Sequence, residues 1–160
     1  MTPAEAAAEL LKRMPPPMTV SQLQEYGIDA SEAKAQQIAR EVLSLNLYWI
    51  LAAIDAHIPQ KYRGAITDTL FESLRTGWWA KGQLGGGTWD DYGRELNTRR
   101  AQYGRLVDQE GMSHLAVSAE AASFLEDRGI VGSEDRQKLL VLLIDYAPAS
   151  RYGKLLDEVG

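Results

Sequence analysis

The sequence predicts an all-α protein, an irregular multi-helix bundle of about seven or eight helices, on three observations. Apolar residues recur at three- and four-residue spacing rather than in alternation. Capping residues open these runs, and prolines or glycines close them. The stretch from Leu45 to Ile58 is apolar nearly all round, so as a helix it has no polar face and other helices must enclose it. Asp55 and His57, at its far end, then reach the rim of the core or find partners inside it.

Thr2, Pro3 and Glu5 read as an N-cap, a first helical residue and a capping-box glutamate, opening an Ala-rich helix that runs to about Arg13. Pro15, Pro16 and Pro17 stop it and favour a stiff extended segment. Residues 1–14 are therefore expected as a helical arm, 15–19 as a Pro-rich linker and 20–160 as a single helical domain. The arm's Leu10, Leu11 and Met14 need a surface, on their own chain or on a second copy, because so short a helix is marginal alone. A short helix covers Val20 to Tyr26 and ends at Gly27.

Asp29 and Glu32 suggest a second capping box, followed by a helix continuing to Pro59. At ~1.5 Å per residue it approaches 40 Å in length, with a kink expected near Ser44 to Asn46. The next helix, Pro59 to about Ala80, gathers Ile66, Leu70, Leu74 and Trp78 on one side. Gly82 to Thr88 is a loop, and Thr88 with Asp90 and Asp91 caps a helix reaching about Asp108. Ser113 starts a helix closed by a Schellman motif, with Gly129 left-handed and Ile130 folded back on Leu125. Ser133 opens another, ended before Pro148, and a short last helix spans about Ser150 to Glu158.

With 160 residues the chain is long enough for one domain with a sizeable core. The absence of Cys excludes disulfides, thiolate nucleophiles and Cys-ligated metals, and suits a reducing cytoplasm. Its first residues lack the pattern of a signal peptide, and the apolar stretch is shorter than the ~20 residues that cross a bilayer. A soluble, cytoplasmic protein without membrane contact is expected. The net charge of −5 works against phosphate-backbone binding, so nucleic acid is an unfavoured partner.

The sequence contains no catalytic signature, which leaves an enzyme unsupported without excluding one. The Gly-rich loop lacks the Lys and the preceding strand of a phosphate cradle, and Asp90 and Asp91 hold the place of an anion. His57 and His114, the two imidazoles, have no metal-site spacing, so neither metal nor cofactor is expected. His57 reads as a partner of its helix's C-terminal dipole. Nucleophile-elbow and kinase motifs are missing, which leaves enzymatic activity without support. Arg99 and Arg100 lie within or beside an arc of core-facing aromatics and need carboxylate partners, for which Asp55 and Asp145 are the candidates. The expectation is an ion pair tying three helices together.

Val20 to Arg40 resembles a helix-turn-helix, with Gly27 in the turn. Its second helix offers Lys34 and Arg40 against Glu32 and Glu41, a poor charge for a recognition helix. The leading expectation is a protein-interaction or self-associating module, a homodimer or the binder of a protein partner, using Leu10, Leu11, Met14 and the tryptophans Trp78, Trp79 and Trp89 beside the loop. One ring of the Trp doublet is expected in the core and the other exposed. The alternative is a small-ligand or sensor domain with a polar pocket around Asp55, His57, Arg99, Arg100 and Asp145. The third reading is an acidic transcriptional regulator with a degenerate helix-turn-helix.

Overall fold

The structure is a computed structural model that describes residues 1–159. It contains eight α-helices and, among the described residues, no strand. In chain order they are α1 (Pro3–Arg13), α2 (Val20–Glu25), α3 (Glu32–His57), α4 (Gln60–Gly77), α5 (Trp89–Gly104), α6 (His114–Asp127), α7 (Arg136–Tyr146) and α8 (Arg151–Val159). No helix among these residues is long and apolar enough to cross a membrane.

Helix α3 is the axis of the molecule, and α2, α4, α5, α6 and α8 all pack against it. Leu45, Leu47, Ile50 and Ile54 are fully enclosed, as a helix without a polar face requires. No break interrupts it: the helix runs for 26 residues. The Ser44 hydroxyl donates to the Arg40 carbonyl at 3.1 Å and the Asn46 amide to the Val42 carbonyl at 3.0 Å, so both polar side chains fold back on the preceding turn instead of breaking it. The N-cap also differs from the expected Asp29–Glu32 box. Ser31 is extended and accepts from the Lys34 amide at 3.2 Å, so the helix begins at Glu32.

At the other end Arg63 supplies the partners that the last carbonyls of α3 lack. Its guanidinium donates to the carbonyls of Ile58 and Asp55, each at 2.8 Å. The turn carrying Asp55 and His57 has by then left the core, and both residues are exposed. The Schellman ending of α6 forms as expected: Ile130 N–H donates to the Leu125 carbonyl and Gly129 N–H to that of Glu126, each at 2.9 Å, with Gly129 at φ 72°. Helix α5 ends earlier than the pattern indicates, because Arg105–Gln109 widen into a π-helical turn.

The N-terminal helix is not a free arm. It packs on α4 and α8 of its own chain, burying Ala6, Ala7, Leu10 and Met14. Arg151 closes the junction by donating to the Arg13 carbonyl at 3.2 Å. Pro15, Pro16 and Pro17 lie against Val42, Leu43 and Trp78 with a gap of only about 10 Å³. The stiff segment spans the surface of the core instead of holding α1 away from it. Leu10 and Met14 are therefore core residues and unavailable to a partner, while Leu11 is half-buried against the same cluster.

Candidate functional site: the groove between α4 and α5

Three buried polar anchors on α3 place α5. Arg40 is 8% exposed, and its guanidinium lies over the rings of Trp79 and Tyr92, 5.1 and 5.2 Å from their centroids. It donates to Glu95 at 2.8 Å and to the carbonyls of Leu84 at 3.2 Å and Gly86 at 2.8 Å. The Gly-rich loop is thus wrapped around a cation and turns carbonyl oxygens inward, the reverse of an anion cradle. Gly85 adopts φ 85°, a left-handed conformation in which any Cβ is strained, so the loop favours glycine at that position.

The second anchor is Glu41, 1% exposed, which accepts from Arg99 of α5 at 2.7 Å and from Arg128 at the end of α6 at 2.9 Å. The Arg99 guanidinium also lies 3.9 Å from the Phe124 ring centroid. Burial works most strongly against its charge, but the hydrogen bonds and the negative charge of Glu41 together exceed that effect, so its pKa is raised. Burial, reinforced by the Glu41 charge, pushes the Tyr103 phenol well above its ordinary range. The third anchor is Ser44, whose hydroxyl shares a 3.0 Å hydrogen bond with that of Tyr92. Burial raises the pKa of this phenol too.

This arrangement corrects the expected pairing. Three helices are tied by an ion cluster containing Arg99, but its carboxylate is Glu41. Asp55 sits on the emerging last turn of α3, and the Asp145 carboxylate accepts from the Tyr26 hydroxyl at 2.7 Å. His57 faces Asp157 at 3.9 Å, and Arg100 is exposed. Asp55, His57, Arg99, Arg100 and Asp145 do not converge on one pocket. Arg40 and Glu41 read in sequence as charges of a solvated helix start. Glu41 lies three residues after Ile38 and four before Leu45, and that spacing was the signal that it shares their buried face; Arg40, two residues from both Ile38 and Val42, carried no such signal. With Arg40 buried, the resemblance to a recognition helix loses one of its two cations.

The tryptophans also differ from expectation. Trp78, Trp79 and Trp89 are all half-buried and packed on the core, so neither ring of the doublet is fully enclosed or fully exposed. Trp79, Trp89 and Tyr92 form a cluster with centroids 5.3 to 5.6 Å apart, and Phe71 joins it through Trp89 at 6.3 Å. The outer edge of this cluster is one end of an open groove.

The groove, about 420 Å³, runs between α4 and α5. Buried Leu51 and Leu96 line it together with Phe71 and Trp89, and its polar residues are Thr67, Asp90, Arg94, Asn97 and Arg100. Gly93 lines it too, and a side chain there would meet nothing within 4 Å. Its φ is not positive, so neither backbone conformation nor internal packing calls for glycine inside this helix. Relative to Ala it costs the helix about 1 kcal/mol.

Among the described residues no group of three or more His, Cys, Asp or Glu side chains is placed to hold a metal ion. Compared with models of known families, with curated proteins and with solved structures, the chain matches none.

Proposed function

We propose that this chain is a protein-interaction module and that the α4/α5 groove docks a helix of its partner. The observation that carries this reading is the open groove with Gly93 on its wall: a Cβ there would meet nothing within 4 Å, so the free space reaches the helix backbone and leaves room for an approaching one. The surroundings suit a helix. The half-buried Phe71 and Trp89 offer an apolar edge above a leucine floor, and Asp90 and Arg100 set opposite charges toward the two ends. A complementary helix carries a small or apolar face, a basic residue over Asp90 and an acidic residue over Arg100. The cysteine-free composition fits action in a reducing compartment, and the reading assigns the protein to the cytoplasm.

Selection from a displayed library of helical peptides tests this. The wild-type chain is expected to enrich peptides with that face and charge order, and their binding to fall at least tenfold on Gly93→Leu, which fills the groove. Enriched peptides that bind wild type and Gly93→Leu equally would overturn the reading.

A further inference from the structure

Resting on that reading, we propose that the helix taken by the groove is α5 of a second copy, packed antiparallel so that Asp90 of each chain faces Arg100 of the other. Neighbouring charges along α5 already have partners within the chain: Asp91 with Arg94, Glu95 with Arg40, and Arg99 with Glu41. Asp90 and Arg100 line the groove, both are exposed, and neither makes an ion pair or side-chain hydrogen bond among the described residues. One acid and one base, ten residues apart, are separated by ~15 Å along a helix axis.

A twofold axis across α5 at the level of Glu95 maps position 90 onto 100 and position 93 onto 97. Two Asp90–Arg100 pairs then form, so each unpaired charge gains one partner, and Gly93 faces the second copy's Asn97. A parallel arrangement would set like charges together, which disfavours it. Asp90, Gly93 and Asn97 share one face at 100° per residue, and the glycine on it lets two helix axes approach at that point. An isologous contact of this kind closes on itself as a dimer.

Sedimentation velocity on the full chain, over a range of concentrations, tests the proposal. Wild type is expected to dimerise, and Asp90→Arg and Arg100→Asp each to weaken dimerisation at least tenfold. An equimolar mixture of the two variants carries opposite charges at both contacts and is expected to recover the dimer. Gly93→Leu, whose Cβ meets no atom of its own chain within 4 Å, is expected to keep the helical circular-dichroism spectrum and lose the dimer. A monomeric wild type, a dimer indifferent to these substitutions, or a mixture that does not recover would each overturn the proposal. If wild type is monomeric yet the groove still selects helical peptides, the second copy is ruled out and the interaction module stands; if both fail, so does the docking surface.

Discussion

Glu41 is the residue on which the packing of α5 depends most, because its carboxylate is nearly inaccessible to water and accepts hydrogen bonds from two guanidiniums, one on α5 and one at the end of α6. Glu41→Ala leaves Arg99 buried without a counter-charge and is expected to lower folding stability by roughly 3 to 5 kcal/mol in denaturant unfolding. Arg128→Ala should cost less, since that side chain is 38% exposed and Arg99 still neutralises the carboxylate. Arg100→Ala and Asp55→Ala should leave the unfolding midpoint of the monomer nearly unchanged. The sequence shows that an arginine on the inner arc of α5 requires a carboxylate. It does not show which one, because pairing depends on the rotation of α3, and an acidic residue in an amphipathic half-helix reads as solvated unless the covering elements are known.

At the scale of elements, local chemistry was legible and tertiary reach was not. Thr2, Thr88, Gly27 and Gly129 punctuate the chain as their side chains or positive φ dictate, and the helices start and stop close to those signals. The destination of α1 was hidden, since three prolines specify a stiff segment but not its direction. Because α1 docks on its own chain, Leu10→Ala is expected to cost about 2 to 5 kcal/mol, as a core truncation does. A surface role for Leu10 would instead leave stability unchanged. In α5 the expectation is reversed: Gly93→Ala should raise stability by about 1 kcal/mol, with the gain read from the denaturation midpoint. The groove itself was only half legible. Arg100 and Trp89 stood out as residues, whereas the open space beside Gly93 depends on how α4 and α5 diverge from α3.

For the whole molecule, tyrosines set the response to alkali. Hydrogen bonding to Asp145, followed by burial, pushes the Tyr26 phenol up to about 12 from its ordinary value of 10. Burial raises Tyr48, Tyr92, Tyr103 and Tyr152 as well. A folded-state pKa above the unfolded one means that the unfolded chain loses its protons first. Stability is therefore fully present below pH 10 and falls as pH rises from about 10 through 12. Denaturant unfolding across that window should show the decline, and Tyr26→Phe should reduce its steepness. A stability that rises over this interval would contradict the burial described for these phenols.

The central claim, that α5 meets its counterpart across the groove, is open to a direct measurement because the chain has no native cysteine. Gly93→Cys and Asn97→Cys variants, mixed and mildly oxidised, should form a disulfide-linked heterodimer faster than either variant cross-links alone, and faster than a control with Gln24→Cys on α2. The disulfide joins Cα atoms only about 4.4 to 6.8 Å apart, so its formation reports the antiparallel register and not merely association. Cross-linking of the mixture at no more than the rate of the control would contradict the account.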